Sequence, residues 1–294
     1  MKILKRLAIS MGLNTALLLW KSFSYASLHV HQVLAKRLSP WILKLLPRKR
    51  KAILEKNLKL VFPQWNEQKT QDFIQKNILS VTTSLLRIST IWKHPSSHWG
   101  KKIELEGVHH LTSAEKSSTG LIILTPHFNH AETLGQLLIE NLHQPSYYIY
   151  KPLKQQKIEN FIIKSRGAFN IKSSEALKII KTLKKGQTIF MLPDQYMIHK
   201  NCADVSFLGV KTKAITAPAK LASMTNATLL IAYIKETPST YKLMVEPPLN
   251  PQLTGNIEED TQFINHQLSN VILSQPEHYF WLHNRFKTHF EQIS

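Results

Sequence analysis

Cysteine occurs once in the 294 residues, as Cys202. A single cysteine excludes an intrachain disulfide framework, which fits a reducing compartment. Asn201 and Ala203 flank it in what reads as a loop. A thiolate nucleophile needs a low-pKa environment, which nothing nearby suggests. Glycine is scarce as well, at nine residues. There is no G-x-G-x-x-G, no G-x-x-x-x-G-K-[ST] and no G-x-S-x-G. The common glycine-rich phosphate loops and the strained serine elbow of many hydrolases are therefore excluded. Internal repeats and low-complexity linkers are absent. Negative charge is also in short supply: 19 Asp and Glu stand against 38 Lys and Arg, for a formal net charge of +19.

Hydrophobic residues make up 43% of the chain and charged residues 19%, a mixture that folds. The positive excess attracts a polyanion, and its placement selects among the candidates. Met1 to Leu60 carries thirteen Lys and Arg but only one acid, Glu55. These cations interleave with apolar runs at Leu13 to Trp20 and Trp41 to Leu46. Aliphatic stems and aromatic rings beside cations suit a membrane interface with acidic headgroups. The apolar stretch from Leu7 ends at Lys21, short of the roughly 20 residues of a spanning helix. Residues 1–47 are thus expected to form a retained membrane anchor or set of interfacial helices, with an ordinary core helix bearing a basic face as the alternative. The run Arg48-Lys49-Arg50-Lys51 marks the start of the body, residues 48–294.

Within the body, Ile74, Ile78, Val81, Leu85, Ile88 and Trp92 recur every three or four positions, the stripe of a helix that Pro95 ends. Beyond residue 100, short apolar runs alternate with helical patterns. Leu121 to Leu124, Tyr147 to Tyr150, Thr188 to Leu192 and Thr228 to Ile234 read as strands, and Tyr241 to Val245 as a hairpin partner of the last. Ala131 to Leu142, a helix capped by Ser173 and ended near Gly186, and Glu258 to Leu273 read as helices. This alternation predicts an α/β domain with a central mixed sheet flanked by helices.

The segment from Thr125 to Glu132 joins the first strand to the next helix, where active sites of α/β sheets gather. It holds His127 and Glu132. On one continuous helix the two would point about 140° apart, so His127 must lie in the loop and Glu132 at the helix start. A histidine oriented by a carboxylate is a general base. With no nucleophile from the protein, a substrate hydroxyl would be deprotonated and would attack a thioester carbonyl. Two other readings remain open: His127 and His130 as structural residues, or His127, His130 and Glu132 as metal ligands. The second lacks the His-Glu-x-x-His spacing.

Further elements follow in order: Asn57 to Pro63, Glu106 to Leu111, Gly120 to Glu132, Arg166-Gly167, Pro193-Asp194-Gln195, Phe207-Leu208-Gly209 and Trp281 to Lys287. Together, from about Arg48 to Lys287, they resemble the lipid A biosynthesis acyltransferase family, the late Kdo-dependent lauroyl and myristoyl transferases. Two positions depart from that pattern. Asn129-His130-Ala131 stands where the family often has Gly-Asn-Trp, and Asn284 replaces one arginine of the closing motif. Both bear on the acceptor rather than on the base.

The resemblance implies an O-acyltransferase of the cytoplasmic face of a bacterial inner membrane, with His127 as base and Glu132 as its orienting partner. It implies substrate-binding roles for Arg166, Asp194, Gln195 and Arg285, with Arg166 and Arg285 meeting phosphate. The donor would be an acyl carrier protein or coenzyme A thioester, and the acceptor a phosphorylated glycolipid or, alternatively, a glycerol-based lipid. No metal, redox cofactor or nucleic acid is implied. A non-catalytic basic protein binding membrane or nucleic acid is the rival from another class.

Overall fold

Four consecutive apolar residues are all hidden only where a strand is covered on both faces. Leu121–Leu124 is such a strand, with every residue buried. The computed structural model of the protein describes residues 20, 22–117, 119–167, 169–195 and 201–287. Its strands, in chain order, are β1 (Lys102–Glu106), β2 (Leu121–Leu124), β3 (Ser146–Tyr150), β4 (Phe169–Lys172), β5 (Thr188–Met191), β6 (Cys202–Phe207), β7 (Val210–Ile215), β8 (Thr228–Glu236) and β9 (Thr240–Val245). The helices are α1 (Leu28–Leu45), α2 (Arg48–Val61), α3 (Glu67–Lys93), α4 (Val108–Lys116), α5 (Ala131–Asn141), α6 (Gln156–Ser165), α7 (Ala176–Lys184), α8 (Ala217–Thr225) and α9 (Ile257–Ser274).

Seven strands form one sheet in the order β1-β9-β8-β2-β5-β3-β4. Its neighbours run parallel except β8 with β9, so the sheet is mixed, as the alternation of elements predicts. Side chains alternate across it. Ile122 and Leu124 pack into one core with Leu54, Ile74 and Leu268; Leu121 and Ile123 pack into the other with Leu111, Leu134 and Leu137. The parallel strands β2, β3, β4 and β5 present their C-terminal ends along one edge, where loops of an α/β sheet collect function.

The long helix begins earlier than its apolar stripe, at Glu67, because the Asn66 side chain accepts the Lys69 N–H and caps it. Ser173 does not cap α7. Its N–H donates to the Tyr150 carbonyl, and the helix starts at Ala176 after Glu175. Cys202 is not in a loop but opens β6, whose alternating burial is carried by Ala203, Val205 and Phe207. The β6–β7 hairpin, β1, β4, α4 and α6 are short or polar, and their apolar periodicity is too brief to read from the chain alone.

The apolar run from Leu7 lies outside the described residues except for its end, Trp20. The Trp20 indole donates to the Leu85 carbonyl at 3.4 Å and meets Trp92 and Phe161 edge-on. α1 packs along α3 through Leu28, His31, Ala35 and Ser39, spaced three or four apart. It also exposes Val30, Val33, Leu38, Ile42, Trp41 (63%) and Leu45 (78%). No described helix is long and apolar enough to cross a membrane.

A final strap, residues 275–287, opens with the short 3-10 helix Pro276–His278, crosses the domain and is clamped at alternate carbonyls. Asn57 of α2 donates to the Trp281 and His283 carbonyls at 2.8 and 2.7 Å. Asn77 of α3 does the same to Glu277 and Tyr279 at 2.9 and 2.8 Å. Each asparagine satisfies two strap carbonyls with one amide. Asn77→Ala is therefore expected to destabilise the fold by about 2 kcal/mol or more, since carbonyls deprived of a donor in the interior keep their desolvation cost. Equilibrium denaturation should show it as a lowered midpoint. A midpoint equal to the wild type would mean that solvent or a shifted neighbour replaces the clamp.

Candidate active site

Adjacent parallel strands carry their following residues side by side. The last register pair of β2 and β5 is Leu124 with Met191. The Thr125 N–H still bonds the Met191 carbonyl at 3.1 Å. Pro126 and Pro193 then end the ladder, because proline has no N–H to pair. Three residues beyond each strand's last pair stand His127 and Asp194, and they meet. His127 Nδ1 lies 2.6 Å from Asp194 Oδ1, and the His127 backbone N–H donates to Oδ2 at 3.0 Å.

The Asp194 side chain is fully buried at 0% exposure. Burial alone would raise its pKa. The charge of His127 and hydrogen bonds from His127 and Tyr279 override that and hold it below the ordinary carboxylate range. An ionised carboxylate only accepts, so His127 Nδ1 carries the hydrogen and the neutral ring has its lone pair on Nε2. Nε2 has no hydrogen bond among the described residues, and the ring, 26% exposed, lines a cavity of about 510 Å³. This geometry suits proton abstraction from a bound group.

The H-x4-E spacing pairs His127 with Glu132, but the structure gives the partner position to Asp194. Glu132 sits in the first turn of α5 and is engaged elsewhere. Arg166, at the C-terminus of α6, grips it through Nε at 3.1 Å and Nη2 at 2.5 Å, and the Trp92 indole donates to it at 2.9 Å. The Arg166 guanidinium also lies over the Tyr148 ring, 4.9 Å from its centre. The fork expected to meet phosphate is thus filled by a carboxylate, although Arg166 lines the cavity.

Asp194, expected to bind substrate, is wholly buried and committed to His127 and Tyr279. Arg285 is likewise no surface cation: at 1% exposure its Nη1 bonds Thr212 Oγ1 and the Lys213 carbonyl, and its guanidinium packs over Phe207. Gln195 does line the cavity. His130 is no second base. Burial, followed by the nearby His278 charge, pulls it down to about 3 and keeps it neutral.

The cavity has two characters. His127, Glu132, Arg166 and Gln195 are among its polar lining residues, and Leu85, Ile88, Leu134, Leu138 and Phe190 among its apolar ones. Gly135 of α5 is required there, because a Cβ would fall 1.4 Å from the Tyr148 hydroxyl oxygen.

The sequence profile of the bacterial lipid A biosynthesis acyltransferase family matches residues 6–288. The chain belongs to that family. It is 28% identical over 251 residues to the lipid A biosynthesis palmitoleoyltransferase of Escherichia coli, covering 82% of this chain and 80% of that one. To the E. coli lipid A biosynthesis lauroyltransferase it is 25% identical over 252 residues, covering 84% and 82%. A lipid A biosynthesis acyltransferase of Haemophilus influenzae is 26% identical over 250 residues, covering 82% and 78%. The chain is accordingly an O-acyltransferase.

Two separate pairs in this acyltransferase predict two separate couplings. In double-mutant cycles on transfer rate, Glu132→Gln and Arg166→Ala should be strongly non-additive, as should His127→Ala and Asp194→Asn, because each pair acts as a unit. Glu132→Gln with Asp194→Asn should come closer to additive. Strong coupling of Glu132 to His127 and none to Arg166 would restore the spacing-based pairing.

Proposed function

We propose that this acyltransferase moves a fatty acyl group from the thioester of an acyl carrier protein to a hydroxyl of a phosphorylated lipid A-type glycolipid, at the cytoplasmic face of the bacterial inner membrane. The observation that carries the reading is His127: one ring nitrogen is fixed by a buried carboxylate, and the ring lines a cavity whose wall is both polar and apolar.

The chemistry follows from that arrangement. Nε2 takes the proton of the acceptor hydroxyl as its oxygen attacks the thioester carbonyl. Asp194 stabilises the imidazolium that forms and keeps the ring in the required tautomer. The tetrahedral intermediate collapses, the C–S bond breaks, and the proton on Nε2 passes to the departing thiolate. An ester and a free thiol result, and no protein nucleophile is consumed. Cys202 is not needed and is not among the cavity residues. The apolar wall from α3 and α5 suits the acyl chain, and Gln195, next to Asp194 in the chain and lining the cavity, would hold the reacting end. The family name and the names of the relatives support a lipid A-type acceptor.

The exposed apolar face of α1, rimmed by Lys36, Arg37, Lys44 and the basic run at the start of α2, supports a seat in an acidic lipid surface. The preference for a carrier protein rests on charge. Residues 151–187 hold ten Lys and Arg against Glu159 and Glu175, and Lys151 lines the cavity while Lys154, Lys172, Lys178 and Lys181 are exposed. Acidic carriers are steered to such a surface more strongly than coenzyme A, which brings only its phosphates.

Purified protein in mixed micelles with a lipid A precursor should yield the acylated product by mass spectrometry, and His127→Ala should lose about 10²–10⁴ in rate while remaining folded. Near-normal turnover in that variant would end the mechanism. Carrier thioesters should outrun matched coenzyme A thioesters at low salt, with the gap closing as ionic strength rises. Equal rates at low salt would reject the carrier preference and leave the His127 chemistry standing.

A further inference from the structure

We infer that Tyr279 is a positioning residue for the His127–Asp194 pair, delivered to it by the C-terminal strap. The inference rests on the proposed role of His127 as base and extends it to a segment far from the strand-end motifs.

Tyr279 is buried, and its hydroxyl acts on Asp194, helping to hold that carboxyl ionised. The backbone that carries it is held on both sides. On one side it pairs with the histidine loop: Phe280 N–H donates to the His127 carbonyl at 2.9 Å, Asn129 N–H to the His278 carbonyl at 2.7 Å, and Phe128 and Tyr279 form an antiparallel bridge. On the other side Asn77 of α3 holds the Tyr279 carbonyl. The ring stands edge-on to Trp281, with centres 5.0 Å apart. The phenol therefore has little freedom, and the histidine loop and the strap share one frame.

A buried tyrosine needs a partner for its hydroxyl, and in an ordinary core any acceptor would serve. Here the group beside the hydroxyl is the carboxylate that takes the ring and the backbone N–H of His127. Burial, and then the charge of Asp194, lift the phenol pKa well above its usual value, so it remains a donor throughout the working range. The groups acting on this cluster are His127 from the loop after β2, Asp194 from the loop after β5, and Tyr279 and Arg285 from the strap. Arg285 is itself tied to Thr212 and Lys213 of β7. Glu132 and Arg166 share the cavity but are bonded to one another.

A donor on Asp194 spreads the carboxylate's charge. Without it the carboxylate pulls harder on the imidazolium, the base holds its proton to higher pH, and less of it is ready to accept one. In Tyr279→Phe the acidic limb of the kcat–pH profile should move up by about half to one pH unit. The rate near pH 6 should then fall several-fold more than the rate on the alkaline plateau. Site-specific incorporation of 3-fluorotyrosine at 279, a stronger donor of nearly the same shape, should move the limb in the opposite direction. Both proteins are compared with wild type by thermal melting and tryptophan fluorescence. Opposite shifts in the two variants support the inference, and they do so from the fluorotyrosine protein relative to wild type even where the phenylalanine variant melts low. A limb that stays in place in both, with at most a uniform loss of rate, overturns it and makes Tyr279 a packing residue. The His127 reading is checked apart from this by His127→Ala, whose retention of the wild-type rate and limb would remove both.

Discussion

The site depends on the parallel register of β2 against β5. Leu124 faces Met191, and the two chains leave the sheet in the same way, one residue and then a proline, before a polar side chain. Because the strands are in step, the polar residues arrive in step, and the result is a hydrogen bond of 2.6 Å between His127 and Asp194. A slip of one residue would turn each strand's side chains to the other face and part the pair. That slip is opposed by the four buried residues of β2 and by Ile189, Phe190 and Met191 of β5, which belong alternately to the two cores. Core packing thus holds the geometry of the base.

A second constraint comes from the other end of the chain. The strap opens with the short 3-10 helix Pro276–His278 and turns as it runs, and the carbonyls of residues 277, 279, 281 and 283 are taken by two asparagine amides from α2 and α3. Between the clamps, the His278 carbonyl and the Phe280 N–H pair with the histidine loop. Two motifs distant in the chain, Asn57 to Pro63 and Trp281 to Lys287, are one structural unit here: Asn57 bonds the strap, and the Phe62 ring lies 5.8 Å from that of Trp281. The burial of Arg285 in the strap has the same logic, since its guanidinium ties the strap to β7 rather than facing solvent.

The carboxylate of the H-x4-E spacing has a different office from the one its spacing implies. Glu132 joins the start of α5 to the end of α6 through a two-point Arg166 bridge, with Trp92 of α3 on one of the same oxygens. Three helices thus meet at one carboxylate. A bidentate ion pair shielded by aromatic rings is stronger and more directional than an exposed one, which suits holding the wall of a substrate site.

Much was legible from the chain. The run Leu121 to Leu124, the hairpin of Tyr241 to Val245 with the strand before it, and the long stripe from Ile74 to Trp92 are local patterns, because burial on a strand or a helix face imprints its own period on neighbouring residues. The histidine loop, the Pro-Asp step and the closing motif were visible as well, and with them the family. What the chain could not say is which carboxylate meets His127. Glu132 is five residues away and Asp194 is 67. The nearer one is favoured only if neighbours in sequence are neighbours in space. The repeated strand-x-Pro-polar pattern at Pro126-His127 and Pro193-Asp194 was a signal, but it acquires meaning only when β5 lies beside β2. Sheet order arises from how all the helices cover both faces, so it is a property of the whole fold. The same reason hid Tyr279 and buried Arg285: hydrogen-bond partners across the strap are set by tertiary packing, whereas the period of a helix or a strand is set by its own backbone.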